Sequence, residues 1–107
     1  MNVIKMMLPY SRLMELDLDI DTIAEVIGQN PVLLYEGQRY GVFCSLAAQL
    51  EKKHINYAAS ELAGEEIYGY ALIIGLEGER MKTWCDVSIE VIDRVKEAYR
   101  KSRRIKT

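Results

Sequence analysis

The sequence is poor in the residues from which most metal and catalytic sites are built. It has one histidine, His54, and two cysteines, Cys44 and Cys85, among 107 residues. A structural zinc site needs four suitable ligands and a catalytic one needs three, commonly at spacings such as C-x-x-C. No such spacing occurs in this chain. We therefore expect no metal and no cofactor, and no motif assigns an enzymatic reaction.

Long hydrophobic runs are also missing. The uncharged stretch Ile67–Leu76 has ten residues, whereas a helix that crosses a bilayer needs about 20. This stretch is predicted to be a buried strand. Lys5, Pro9 and Arg12 interrupt the apolar N-terminus, which is unlike a secretory signal peptide. Two cysteines without an export signal favour reduced thiols. These features predict a cytoplasmic protein with no membrane contact.

Proline and glycine are scarce, at two and seven residues, so no linker or low-complexity segment is expected. Charge, by contrast, is strongly segregated along the chain. Residues 1–93 carry seven Lys/Arg against fifteen Asp/Glu, a net charge of −8, and residues 94–107 carry seven against one, a net charge of +6. Segregation of this kind points to a partner. Cations near a helix C-terminus would also complement the helix dipole.

Hydrophobic spacing and turn residues predict a single α+β domain over residues 1–107, with an antiparallel sheet of four or five strands and two main helices. A first strand is predicted at Val3–Leu8. A short amphipathic helix follows, with Asp21 or Thr22 as its cap and Gly28 as its end.

The first main helix is predicted at 45–54, with Leu46 and Leu50 facing the core. Residues 55–64 fit either a continuation of that helix or a strand. The alternation of apolar side chains in this segment favours the strand.

The second main helix is predicted at 88–104, with Asp86 or Ser88 as its cap. Its apolar stripe is the most regular in the chain and comprises Ile89, Val91, Ile92, Val95 and Tyr99. The segment 100–107 is expected to form a basic C-terminal tail.

Two stretches, EGQRYGVFCS and EGERMKTWCD, repeat one pattern 41 residues apart. Each is predicted to form a hairpin that leads into a helix, with Gly37 or Gly78 supplying the positive φ of a tight turn. The repeat suggests a duplicated ββα unit at 32–54 and 73–104. The alternative is convergence, because any two hairpins of this kind need glycine at the turn.

The thiols of Cys44 and Cys85 fall at strand-to-helix junctions, where a helix N-terminus would lower a thiol pKa. A nucleophilic thiol also needs a base. His54 is predicted to lie at the far end of the helix that follows Cys44, about 15 Å away. Core packing is therefore preferred for both thiols.

Acidic side chains occur in short clusters. Asp17, Asp19 and Asp21 alternate with apolar residues, but a calcium loop also requires a central glycine and a terminal glutamate, which are absent. A strand edge facing water explains the alternation better. The carboxylates near Glu65 and Glu77 fall at predicted turns, where solvation is expected.

Tyrosine supplies seven of the nine aromatic residues, and tyrosine is favoured at protein interfaces. One pair flanks the first predicted turn, and a second pair is predicted to share one face of a strand. With the cations of the tail, which would neutralise phosphates, the candidate binding residues are Tyr35, Tyr40, Tyr68, Tyr70, Arg100, Lys101, Arg103 and Arg104.

The tyrosines, the acidic body and the missing catalytic constellation favour a non-enzymatic protein-binding or regulatory module, such as a small acidic inhibitor of the kind that phages and mobile elements encode. The expected partner is another protein, with a homodimer as a further option. An alternative is a regulator that senses a small ligand through its hairpins or contacts nucleic acid through its tail, although the acidic body would repel phosphates. A thiol-dependent enzyme is the least favoured class.

Overall fold

Six strands and four helices form within the part of the chain that the computed structural model describes, which is residues 1–7, 12–17, 19, 23–28 and 30–105. The predicted α+β class is confirmed. The elements in chain order are β1 Asn2–Met7, β2 Arg12–Asp17, α1 Ile23–Ile27, β3 Pro31–Glu36, β4 Tyr40–Ser45, α2 Leu46–Glu51, α3 Tyr57–Ala63, β5 Ala71–Glu77, β6 Thr83–Cys85 and α4 Ile89–Ile105.

Strand β5 is the centre of the antiparallel sheet, which has the order β2-β1-β5-β4-β3. One edge of β5 pairs with β4. The other edge is shared, because β1 pairs with residues 71–73 and β6 with residues 75–77. The backbone N–H of Val87 donates to the carbonyl of Asn2 at 3.0 Å, which joins the end of β6 to the start of β1.

Both faces of the sheet are covered, which explains the continuous apolar run in β5. On one face, Met6, Val42 and Ile73 belong to a core cluster with α3 and α4. On the other face, Leu72 and Ile74 belong to a second cluster with α1. Residues 71–76 are all buried, as predicted, although the strand begins at Ala71. None of the helices in the described ranges combines the length and apolar composition needed to cross a membrane.

Helix α1 forms where a short helix was predicted, and it is held by packing because it has only five residues. Ile23 and Ile27 are buried against the sheet, and Gly28 follows with φ +106°. The predicted caps Asp21 and Thr22 lie outside the described residues.

The prediction for 45–64 is wrong in two respects. Helix α2 ends at Glu51, and Leu46 and Leu50 are 42% and 75% exposed, so neither faces the core. Residues 55–64 contain a helix, α3, and not the favoured strand.

The cause of the second error is Asn56, which is fully buried. Its side-chain oxygen accepts from the backbone N–H of Ala59 at 3.2 Å and caps α3. Its side-chain nitrogen donates to the carbonyls of Met6 at 3.1 Å and Gly69 at 2.9 Å. One amide therefore joins α3 to β1 and to the segment before β5, and these tertiary bonds favour the helix over the local alternation.

Helix α4 confirms the prediction for 88–104. The Ser88 hydroxyl accepts from the backbone N–H of Val91 at 3.2 Å, and Val91, Val95 and Ala98 are buried in the core. Ile89 was expected in this stripe but is 78% exposed. The basic segment predicted as a tail is helical as far as Ile105.

Both hairpins form at the predicted places and lead into helices. Their strand registers differ, since Cys44 lies opposite Val32 whereas Cys85 lies opposite Gly75. Under the 41-residue offset Gly75 corresponds to position 34, so the registers are two residues apart. Duplication of a ββα unit stays a hypothesis.

The two turn glycines serve different purposes. Gly78 has the expected positive φ, +110°, but Gly37 does not. A Cβ on Gly37 would lie 2.6 to 2.9 Å from the ring and hydroxyl of Tyr35. A side chain at position 37 would therefore require the ring of Tyr35 to move.

Candidate binding site

The two hairpin turns and the start of α4 meet at one end of the sheet. The backbone N–H of Leu76 donates to the carbonyl of Arg39 at 2.9 Å, which joins β5 to the first turn. The Lys82 ammonium donates to the carbonyl of Gly37 and joins the second turn to the first. The Arg39 guanidinium pairs with the Glu90 carboxylate at 2.7 Å, which adds α4.

Two neighbouring cavities open between these elements, and together we call them the hairpin-end groove. The first, of about 370 Å³, is lined by Tyr35, Tyr40, Val91 and Arg94, among others. The second, of about 640 Å³, lies between the two turns. Gln38 and Arg39 line both cavities and are exposed. The first turn is therefore the wall that the two cavities share.

The tyrosine pair predicted around the first turn forms the floor of the first cavity. The rings of Tyr35 and Tyr40 are 5.3 Å apart between centroids. The Tyr40 hydroxyl donates to the carbonyl of Leu62 at 2.6 Å, and Tyr40 is only 4% exposed. Burial, followed by the neighbouring Tyr35, raises the pKa of Tyr40. The Tyr40 ring is therefore held in place, and its hydroxyl is neutral. The Arg94 guanidinium carbon lies 5.5 Å from the centre of this ring.

The second tyrosine pair lies elsewhere. Tyr68 and Tyr70 precede β5, at the end of that strand opposite the groove, and a seven-residue strand spans about 20 Å. Gly69 between them has φ +79°, so the two do not share a strand face as predicted. The Tyr68 hydroxyl donates to the carboxylate of Glu66, and the Lys5 ammonium lies 4.9 Å from the centre of the Tyr70 ring.

The basic residues near the C-terminus are distributed along the surface of α4. Arg100 pairs with Glu97 at 3.2 Å, and Lys101 pairs with Glu61 at 3.3 Å. Both cations therefore have acidic partners within the chain. The side chains of Arg103 and Arg104 lie outside the described residues.

Neither thiol has the environment of a nucleophile. Cys44 is fully buried in β4, and burial, followed by the nearby Glu65 carboxylate, raises its pKa to about 11. Burial also raises the pKa of Cys85, with smaller contributions from Glu77 and Asp86. Both thiols are free of disulfides. Since the thiolate is the reactive form, both environments oppose its formation at neutral pH.

The acidic cluster near the N-terminus does not gather around one point in the described part of the chain. Asp17 pairs with the N-terminal amine at 2.8 Å, which lowers the pKa of Asp17. Asp19 is exposed, and Asp21 lies outside the described residues. Within the described ranges, no three Asp, Glu, His or Cys side chains converge in an arrangement that would hold a metal ion.

Of the residues that line the groove, sequence reasoning selected only Tyr35 and Tyr40 as binding residues. The polar residues that it missed include Gln38, Arg39, Lys82, Glu90 and Arg94. Gln38 and Arg39 fall in the predicted first turn, but a turn position alone does not indicate whether a side chain takes part in binding. The contact between Arg39 and Glu90 spans 51 residues of sequence, so no local pattern reveals it.

Comparison of the chain with models of protein families, with curated proteins and with solved structures finds no match. A functional interpretation therefore depends on the side chains of the groove itself.

Proposed function

We propose that this chain is a non-enzymatic protein-binding module of the regulatory or inhibitory kind, and that the hairpin-end groove is its binding surface. The observation that carries the proposal is the meeting of two open cavities at the exposed residues Gln38 and Arg39. A segment of a partner protein that crosses the first turn would contact both cavities at once.

The side chains of the groove are of the types that contribute most to protein interfaces. Tyrosine and arginine are enriched among the residues that dominate binding energy, and the groove contains Tyr35, Arg39 and Arg94. Tyr35 offers a half-buried ring beside the fixed ring of Tyr40. A rigid aromatic floor loses little conformational entropy when a partner binds.

The competing classes receive less support from the same structure. An enzyme built on Cys44 or Cys85 would need a thiolate, which the raised pKa of each thiol disfavours. A nucleic-acid contact through the end of α4 would have to compete for Arg100 and Lys101 with their glutamate partners.

A capture experiment with matched variants tests the proposal. The immobilised chain is exposed to a lysate of the cells that encode it, and retained proteins are quantified by mass spectrometry. The groove variant combines Gln38→Ala and Arg39→Ala. The control variant combines Glu51→Ala and Lys53→Ala, which removes an equally exposed ion pair at the opposite end of the sheet.

We expect a specific partner to be retained by the wild type and the control, and retention to fall about tenfold or more in the groove variant, as the loss of a central arginine contact implies. Both variants should keep the wild-type circular dichroism spectrum. Equal retention by the groove variant, or no protein retained above an unrelated bait, would contradict the proposal.

A further inference from the structure

Arg94 lies near the middle of α4, between three ion pairs that other residues form. Three carboxylates on this surface each hold a cation: Glu90 pairs with Arg39, Glu97 with Arg100, and Glu61 with Lys101, at 2.7, 3.2 and 3.3 Å. Arg94 lies among them and lines cavities beside all three carboxylates. No carboxylate of the described residues is within ion-pair distance of Arg94. The three carboxylates that line these cavities are already paired with other cations.

The position of Arg94 is nevertheless well defined. Its guanidinium lies over the ring of Tyr40 at 5.5 Å, and the hydroxyl of Tyr40 is anchored to the carbonyl of Leu62. A cation–π contact of this kind does not occupy the N–H donors of the guanidinium with hydrogen bonds. Tyr40 is thus a positioning residue for Arg94.

Two cavities lie beside Arg94. Arg94 lines both the 370 Å³ cavity of the groove and a smaller cavity of about 120 Å³ between α3 and α4. Apolar atoms of Val91, Leu62 and Ala98 lie in the walls. A ligand that enters here meets one uncompensated positive charge beside aromatic and aliphatic surface.

From this arrangement we infer that Arg94 is the anchor of an anion site, and that its ligand is a carboxylate carried by a partner protein. Guanidinium and carboxylate match as a bidentate pair, which makes arginine the preferred side chain for such recognition. The inference rests on the proposed function, since it names the group that the groove receives from its partner. The carboxylate comes from a C-terminal residue or from an acidic side chain.

Nuclear magnetic resonance titration with small probes tests the inference without the partner. The probes are N-acetylphenylalanine, which has a terminal carboxylate beside an aromatic ring, and N-acetylglutamic acid α-amide, which has only a side-chain carboxylate. The neutral probe N-acetylphenylalanine amide is the control. The signals followed are the Nε–H of Arg94 and the backbone amide of Gln38 in the isotope-labelled full chain.

Both carboxylate probes are expected to shift these signals. Their affinity should be weak, because Arg94 is exposed and screened by salt. The probe that binds more tightly shows whether the partner's carboxylate is C-terminal or belongs to a side chain. Arg94→Gln should raise the dissociation constant about tenfold, as expected for loss of a charged hydrogen-bond pair. The dissociation constant of Arg94→Lys should lie between those of the wild type and Arg94→Gln, because lysine keeps the charge and loses the planar fork. Lys96→Gln, on the same helix but in none of the three ion pairs above, should stay within about twofold of the wild type.

Three results would overturn the inference: no shift with either carboxylate, an equal shift with the neutral amide, or an equal loss of affinity in Lys96→Gln. Each leaves the protein-binding function standing if partner capture still depends on Gln38 and Arg39. Conversely, carboxylate binding at Arg94 with no partner captured would remove the proposed function and leave a site for free small carboxylates.

Discussion

Asn56 offers the sharpest test of how this fold is held together. Substitution by alanine removes the cap on Ala59 and both donations, to Met6 and Gly69. Loss of a helix cap costs about 1 kcal/mol, and each carbonyl that loses this donor costs roughly 1–2 kcal/mol. Asn56→Ala should therefore lower the free energy of unfolding by about 3–5 kcal/mol, a large part of the 5–15 kcal/mol typical of a domain.

The isosteric variant Asn56→Asp removes the two N–H donors of the side chain and keeps its shape. Aspartate can still accept from Ala59, but its second oxygen would face the carbonyl oxygens of Met6 and Gly69 in a fully buried position. Burial and these carbonyls both disfavour the anion, so the pKa of the new carboxyl should rise above its unfolded value of about 3.9. A group with a raised folded pKa stabilises below its unfolded pKa and loses that effect as pH rises through the folded value. The variant should therefore be least impaired near pH 4 and progressively worse towards neutrality.

Urea unfolding followed by far-ultraviolet circular dichroism at several pH values measures both effects. The reasoning fails if Asn56→Ala lies within about 1 kcal/mol of the wild type, since surface substitutions commonly stay below that level. It also fails if the deficit of Asn56→Asp relative to the wild type does not grow between pH 4 and pH 7.

Two further predictions concern the strands and the thiols. Gly75→Ala should cost about 2–4 kcal/mol of unfolding free energy, because a Cβ there lies 2.4 Å from a backbone carbonyl oxygen at the end of β6. Gly41→Ala should cost less than about 1.5 kcal/mol of unfolding free energy, since the atom nearest to a Cβ there belongs to the movable side chain of Leu33, at 2.8 Å. A larger loss for Gly41→Ala than for Gly75→Ala in urea unfolding would refute the steric argument. With a disulfide reagent at neutral pH, the half-buried Cys85 should react roughly tenfold or more faster than Cys44. A native Cys44 that reacts as fast as Cys85 would contradict the burial on which this rests.

The elements that could be predicted from sequence are those whose determinants lie within a few residues of one another. The hairpin around Gly37 and the helix capped by Ser88 carry their turn, cap and apolar stripe locally. The determinants of helix α3 are not local, because its cap residue Asn56 is hydrogen-bonded to Met6, which is 50 residues away in sequence. Alternation of side chains favoured a strand there, and tertiary hydrogen bonds overruled it.

The candidate site shows the same division. The approach of Tyr35 to Tyr40 follows from their places on either side of a short turn, so composition and turn position were enough to select them. The role proposed for Arg94 depends on which carboxylates other cations hold. Those pairs include contacts of Arg39 and Lys101 across 51 and 40 residues of sequence. The charges along the sequence reveal a basic end but do not show which of its cations hold a carboxylate.

Several equivalent positions of the 41-residue repeat line the groove. Under that offset Gln38 corresponds to Glu79, and both line the cavity between the two turns. Tyr35 of the first cavity corresponds to Leu76, which lines the second. The groove is therefore built from equivalent positions of the two hairpins that face each other. If the hairpins descend from one unit, the groove arose at the junction of the copies, and the first copy acquired at position 35 the tyrosine whose ring now lies beside that of Tyr40.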